Sequence, residues 1–392
     1  MKIVSLETYV VNVPYTHDEV SARIRRSGVT SIVVKLRADN GLVGWGESCG
    51  NIANAISVDE AVRYASAFVL GRSPWEREQI AHDFYKRGTW DRRMHTANFA
   101  FAGIDIALWD LCGKKAGQPI HRLLGGARRE AVDYFYYLER GAPESLVRQC
   151  RDGVARGYTT FYLKTGVDRK AEEDMLEAIR GAIGADRKIR IDCNEAWTLN
   201  EAVRTLNDWD RRFRIDFCEA PVAHDLPESM REVRSRVPCA IAANEALGRE
   251  VDVLRIIRSR CADVLCFSPF LVGTLRRFMT LSHLAHLEGL LVCKHTHGEL
   301  GVAAAACQHL MLCVPNAVSG NQQTESVMAG GILKEPIPIR SRPLWGRIDE
   351  PGLGVDVDED KLGAAREAYL RDGQFIPYRD LPPAQECQQS FE

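Results

Sequence analysis

The chain lacks an excess of either charge. Its 392 residues carry 51 Lys and Arg against 53 Asp and Glu, a formal net charge of −2. That balance leaves no electrostatic footprint for nucleic acid or for an anionic membrane surface, and neither is expected as a partner. No apolar run reaches membrane-spanning length. Cys-x-x-Cys pairs are missing too: the twelve cysteines are scattered singly. Cys193, Cys218, Cys266 and Cys293 fall in segments that read as core strands, where a thiol acts as a small apolar filler. A disulfide framework is not expected in so long a chain, and the protein reads as reduced and cytoplasmic. The opening MKIVSLETYVVNVPY alternates like a strand and is broken by Glu7, Asn12 and Pro14, so it does not read as a signal peptide.

What is present is a ladder. Asp192, Glu219 and Glu245 stand at gaps of 27 and 26 residues, and Lys164 precedes the first by 28. Each lies in or just after a short apolar run: FYLKTG, IRIDCNEAW, IDFCEAP, AIAANEA; His297 follows another, LLVCKHTH. Such a gap is about one strand, one helix and two loops of a (β/α)8 barrel, a fold that gathers its chemistry at the C-terminal ends of its strands. Equal spacing therefore predicts one ring around one pocket. Three acids in that ring point to a hard divalent cation, and a lysine beside them to a proton-transferring base. The alternative, three acids paired with barrel arginines, fits this spacing less well.

With 45% hydrophobic residues the chain has ample core for a barrel and a second domain. Residues 1–13 read as a strand, and 31–48 as a hairpin about Asp39-Asn40-Gly41. The polar, arginine-rich stretch 15–30 between them reads as a long loop. Helical patterns follow at 58–70, 74–87 and about 94–116, the last with Ala97, Ala100, Phe101, Ile104, Ala107, Leu108 and Leu111 on one stripe and a stop at Gly117 and Pro119. From 131 the pattern becomes strand–helix alternation. Strands are predicted at 132–137, 159–164, 188–193, 215–219, 239–243, 263–267, 290–296 and about 317–321, and helices at 168–183, 200–212, 249–259, 272–288 and 301–313. The expected organisation is an α/β protein: an N-terminal α+β capping domain (1–130), a modified (β/α)8 barrel (131–345), and a Pro/Gly-rich C-terminal segment (346–392) that packs back on the cap.

GLVGWGES, AFAGIDIALWDLCGKKAGQPIHRLLGG, FYLKTG, DCNEAW, FCEAPV, Glu245 and PGLGVDVDEDKL together resemble the enolase superfamily, in its mandelate racemase and muconate lactonizing enzyme branch. The resemblance runs from residue 1 to about 365. It implies Mg²⁺ held by Asp192, Glu219 and Glu245, a loop near 15–30 that closes over the substrate, and removal of the proton α to a carboxylate to give a metal-stabilised enediolate. Lys or His bases acting with Mg²⁺ are the general pattern of such sites.

Against that family pattern three positions depart. Relatives carry Lys-x-Lys where this chain has Tyr162-Leu163-Lys164, so the second lysine, the base, is kept and the first is lost. Tyr162 shares the inward face with Lys164 and either orients substrate, moves a proton or fills the barrel. At the sixth strand muconate-type relatives place a lysine near Ser268 and racemase-type relatives an aspartate. His297 falls where racemase-type relatives carry a catalytic histidine, with His295 on the same face. Without an aspartate partner the imidazole is a poorer base and, once protonated, a stronger acid. This favours dehydration of a hydroxylated carboxylate such as an acid sugar, Lys164 taking the α-proton and His297 protonating a departing β-hydroxyl. A racemase or epimerase using both residues, a muconate- or lactone-type cycloisomerase and an idle carboxylate-binding barrel are the alternatives.

Asn194 shares a face with Asp192, and Asn244 stands beside Glu245 where an aspartate is common. Glu325, in GNQQTES, is a candidate donor to a substrate oxygen or an exposed loop acid. Arg23, Arg25 and Arg26 either grip a distal carboxylate or sugar hydroxyls by forked hydrogen bonds or form a solvated charged loop. Trp45 reads as packing. The partner is a small-molecule carboxylate, and a homo-oligomer is expected.

Overall fold

Asp39-Asn40-Gly41 reverses the chain as its composition predicts. Gly41 takes a φ of 84°, a conformation open to glycine at no steric cost, and the alternating runs on either side pair antiparallel. In this computed structural model, which describes residues 1–51, 54–87, 95–225, 227–337, 339–341 and 343–375, β1 (Ile3–Val20), β2 (Arg25–Ala38) and β3 (Val43–Cys49) form one antiparallel sheet in that order.

The stretch 15–30 is therefore not a long loop. β1 and β2 pair through it, with Glu19 opposite Arg26 and Val20 opposite Arg25, beyond a register shift between Pro14 and Glu19. Cross-strand ion pairs, Arg26 on Glu19 and Arg25 on Asp18, take the place of the apolar alternation that would have marked strands. Only Ser21–Ile24 make the turn, closed by the Ser21 N–H on the Ile24 carbonyl at 2.9 Å.

α1 (Ala55–Tyr64), α2 (Ser66–Val69), α3 (Arg77–Arg87) and α4 (His95–Ala116) follow; the expected helix start at 94 lies outside the described residues. α4 is buried on every side from Ala97 to Cys112, not along one stripe. It presses its backbone onto β3, where a Cβ on Gly46 would come within 1.8 Å of the Gly103 carbonyl oxygen. GWGE and AFAG are thus the two halves of one close contact. Glu47, beside it, caps the barrel from the cap, accepting the N–H groups of Leu300 at 2.8 Å and Ala303 at 2.9 Å.

After α5 (Ile120–Leu123) the predicted strand 132–137 splits. β4 (Ala131–Asp133) pairs outside the barrel, and β5 (Tyr136–Leu138) begins it. Alternation then runs through α6 (Pro143–Ala155), β6 (Thr160–Lys164), α7 (Arg169–Ile183), β7 (Lys188–Asp192), α8 (Leu199–Phe213), β8 (Ile215–Glu219), α9 (Pro227–Arg236), β9 (Ala240–Ala243), α10 (Glu250–Ser259), β10 (Val264–Phe267), α11 (Pro269–Val272), α12 (Leu275–Leu287), β11 (Leu291–Lys294) and α13 (Gly301–Cys313). α8 is representative: a Thr198–Glu201 capping box starts it, and Leu206, Trp209 and Phe213 bury its inner face. β5 to β11 form one parallel sheet in chain order. The predicted eighth strand closes it through isolated bridges, Ala317 to Val292 and Asn321 to Tyr134. Its residues spend their side-chain amides on backbone as well, as when Asn321 Oδ1 accepts the Lys294 N–H at 2.9 Å.

β12 (Ile339–Ser341), β13 (Leu344–Gly346) and α14 (Glu359–Asp372) complete the described chain. β13 pairs with β4, while Lys35 reaches Glu359 of α14 at 2.6 Å and Asp110 of α4 accepts the Leu353 N–H at 2.9 Å. Of the expected C-terminal segment, residues 376–392 lie outside the described residues. The eleven cysteines among the described residues are buried and free. No helix among the described residues is long and apolar enough to cross a membrane.

Candidate active site

Parallel register brings the ladder together. Lys164, Asp192 and Glu219 end β6, β7 and β8 and are direct cross-strand partners, Lys164 with Asp192 and Asp192 with Glu219. Glu245 lies two residues beyond β9. Asp192, Glu219 and Lys164 are buried, and a cavity of about 340 Å³ opens above them beneath the hairpin tip.

Asp192 is the best-connected carboxylate. Its Oδ2 accepts from Lys164 Nζ and, at 2.6 Å, from the Tyr162 hydroxyl; its Oδ1 accepts the Asn194 N–H at 2.9 Å. Tyr162 is stacked on Phe135 with ring centroids 4.5 Å apart, so packing fixes the hydroxyl that holds Asp192. Asn194 ties the cluster, accepting from Lys164 Nζ at 3.2 Å and donating to Glu245 Oε1 at 3.1 Å. It and Glu195 adopt φ of 43° and 64°, and Ala220, just beyond Glu219, 42°. Left-handed backbone at non-glycine residues costs about 1–3 kcal/mol each and clusters at working sites.

Glu219 Oε2 accepts from Gln322 Nε2 at 2.6 Å. Among the described residues Glu219 Oε1 and Glu245 Oε2 are buried with no hydrogen-bond partner. Burial, then the charge of Asp192, pushes the Glu219 pKa well above the carboxylate range and that of Glu245 to about 7. Buried carboxylates that repel one another and keep oxygens unpartnered fit a hard divalent cation. No three His, Cys, Asp or Glu side chains among the described residues already form a closed ligand set; both oxygens of Asp192 and one each of Glu219 and Glu245 are turned to protein donors instead. The donor chemistry therefore fits Mg²⁺, with Asp192, Glu219 and Glu245 as the oxygens that would hold it.

Burial disfavours the Lys164 charge, but Asp192, Glu19 and Glu219 outweigh it and hold the lysine above its ordinary pKa. Positive charge placed among those acids would act in the opposite direction.

His297 and His295 line the far side of the cavity. Ser268 Oγ, buried, lies 3.1 Å from His297 Nδ1, and His295 Nδ1 lies 3.3 Å from the same atom. His295 Nε2 stands 3.9 Å from Glu219 Oε1, and burial drives the His295 pKa well below the usual value. Asn244 lines the cavity and donates to the Cys266 carbonyl at 2.8 Å.

From the cap, Glu19, Ser21, Arg23 and Arg26 reach the cavity. Arg23 meets Glu195 at 3.2 Å. Arg25 does not line it; it is exposed and engages Asp18 at 2.8 Å. Glu325 does not either, but borders a separate cavity against α13. Trp45 is buried packing, as read.

Gln322, Glu195 and His224 were not read from the sequence, nor were Glu19 and Ser21 of the cap. Gln322 belongs to the eighth-strand segment, and its period-two placement beside Asn321 was the available signal. Glu195 accepts from the His224 backbone N–H at 2.7 Å and touches its ring. No residue pattern marks that pair.

A parallel barrel under a β-rich cap, with three acids and a lysine gathered at its strand ends, defines a class of capped-barrel enzymes. Residues 5–125 match the family model of the mandelate racemase / muconate lactonizing enzyme N-terminal domain, and 145–361 that of the enolase C-terminal domain-like fold. The chain belongs to the mandelate racemase/muconate lactonizing enzyme branch of the enolase superfamily. It is 27% identical to the N-succinyl-L-Arg/Lys racemase of Bacillus cereus, covering 92% of this chain and 97% of that one. To the D-galactarolactone cycloisomerase of Agrobacterium fabrum it is 28% identical, over 92% and 98%. It superposes on the crystal structure of an enolase from Streptomyces coelicolor with a TM-score of 0.87 at 27% identity, over 96% and 100%. Its relatives are enzymes, among them racemases, epimerases, cycloisomerases and dehydratases.

Proposed function

We propose that the protein dehydrates a small hydroxylated carboxylate, such as an acid sugar, to a 2-keto acid. Asp192, Glu219 and Glu245 would hold Mg²⁺, whose positive charge would stabilise negative charge on the substrate carboxylate and so ease loss of its α-proton. Lys164 Nζ, freed from Asp192, takes that proton. His297, as imidazolium, gives its proton to the β-hydroxyl, which leaves as water. The resulting enol rearranges to the 2-keto acid. Tyr162 and Asn194 position the base and the acids; the cap hairpin keeps bulk water out.

The observation that carries this reading is the separation of Lys164 from His297. β6 and β11 lie at opposite sides of the three carboxylate-bearing positions in the sheet order, and both residues line the same cavity. A base on one wall and an acid on the other suit loss of a proton and a hydroxyl. The same separation supports a second reading, racemisation or epimerisation by proton transfer from one wall to the other. Incubation with Mg²⁺ and a hydroxy-acid panel in D₂O separates them: semicarbazone formation from a 2-keto product supports dehydration, while deuterium at an otherwise unchanged substrate supports racemisation and overturns it.

A further inference from the structure

The loop that carries His297 runs from the end of β11 at Lys294 to the start of α13 at Gly301, and the cap holds it. Asn51, just beyond β3 and 1% exposed, donates from Nδ2 to the His297 carbonyl at 2.9 Å. Gly298 follows with a φ of 84°, as glycine allows. A Cβ there would lie 2.6 Å from Val29 Cγ2, 2.8 Å from the Tyr15 hydroxyl and 3.4 Å from Asn51 Nδ2, all groups of the cap. Glu47 takes the next N–H groups, those of Leu300 and Ala303. The rings of His297 and Phe99, on α4, meet edge to face with centroids 5.7 Å apart.

Lys164 is held differently. Its Nζ donates to Asp192 and Asn194, and its carbonyl accepts from Arg140 Nη1 at 2.6 Å; these partners belong to the barrel. The two proton-handling groups of one cavity are thus fixed by different parts of the chain.

Asn51 is not one of the residues that line the cavity, so it acts on substrate through His297. A carbonyl only accepts, and an amide N–H on it fixes where the His297 peptide lies. Proton transfer needs donor and acceptor within hydrogen-bond reach. A displacement of about 1 Å, caused by a change away from the chemistry, can cost about 10²-fold. Loss of the Asn51 bond therefore bears on the step that His297 performs and leaves the bonds of Lys164 in place.

We propose that Asn51 is a positioning residue for His297, and that through it the cap governs loss of the hydroxyl while the barrel governs removal of the α-proton. The inference rests on the dehydration reading above and deepens it by assigning its two halves to two parts of the chain.

The test is Asn51→Ala, with Asn51→Asp as a second variant of the same shape that has no N–H to give. Each is incubated with Mg²⁺ in D₂O and the hydroxy acid that the wild type converts. Keto-acid formation is expected to fall about ten- to hundredfold, while deuterium still enters the recovered substrate. The ratio of exchange to product should therefore rise at least about tenfold. Glu359→Gln, which breaks the Lys35 ion pair elsewhere in the cap, is expected to leave that ratio at the wild-type value. Parallel loss of exchange and product in a folded Asn51 variant overturns the inference, as does an unchanged rate of product formation or an equal rise in Glu359→Gln. If the wild type converts no hydroxy acid, the dehydration reading fails on its own. The positioning is then read from the His297 imidazole resonances, assigned against His297→Asn: displaced signals in Asn51→Ala support it, and signals that coincide with wild type overturn it.

Discussion

Ser268 Oγ lies 3.1 Å from Nδ1 of His297, and the same oxygen accepts the Leu271 N–H at 3.3 Å as the N-cap of α11. A hydroxyl fixed by the backbone orients the imidazole without placing a negative charge beside it. An aspartate there would stabilise the imidazolium and strengthen the base. In the dehydration proposed above, this held imidazole is the group that hands a proton to the departing hydroxyl.

His297→Asn is therefore expected to stop keto-acid formation while Lys164 still exchanges the α-proton with solvent. Product formation should fall about 10²–10⁴-fold, the usual worth of a positioned acid. Proton NMR in D₂O, with semicarbazide trapping, reads both steps. Loss of exchange along with product would make His297 the base.

Lys164→Ala is expected to abolish both exchange and product, again by about 10²–10⁴-fold. Mg²⁺ affinity should persist, because the change removes a cation from Asp192 and no oxygen ligand. Calorimetric Mg²⁺ titration beside the exchange assay checks it; unchanged turnover would take Lys164 out of the mechanism.

Tyr162→Phe keeps the stack on Phe135 and deletes the 2.6 Å bond to Asp192. Partners that orient a metal ligand are worth about 10–100-fold in affinity. Mg²⁺ should bind at least about tenfold more weakly by calorimetry. Affinity within twofold of wild type would reduce Tyr162 to barrel packing.

His309 provides a pH test away from the site. It is fully buried, takes the His121 N–H on Nδ1 at 3.3 Å and faces the Leu353 carbonyl with Nε2 at 3.1 Å. Burial lowers its pKa from 6.5 to about 3. Between those values the unfolded chain holds the extra proton, so stability falls as pH drops from about 6.5 toward 3, by up to about 1.4 kcal/mol per pH unit from this group. Urea unfolding of wild type and His309→Gln at several pH values should show a shallower acid loss in the variant. Parallel curves would contradict the assignment.

The acids and the lysine were legible because a βα unit has a nearly fixed length, so Asp192, Glu219 and Glu245 had to recur at strand ends. The cap hairpin was hidden for a physical reason. Arg25, Arg26, Asp18 and Glu19 satisfy each other across the strands, which removes the apolar alternation that marks a strand in sequence. Neighbours on a strand point to opposite faces, so Arg25 meets solvent while Arg26 meets the cavity, and the register shift after Pro14 conceals which is which. The eighth strand reads as a strand but is held by bridges and side-chain amides. Glu325, one of its neighbours in sequence, turns away to another cavity.

The central claim is that three acids from successive strands share one cation. Crystals grown with Mn²⁺ in place of Mg²⁺ test it by anomalous diffraction. A single peak about 2.0–2.3 Å from one oxygen each of Asp192, Glu219 and Glu245 is predicted. A fully loaded crystal with the peak elsewhere, or with any of the three acids out of reach, would contradict it.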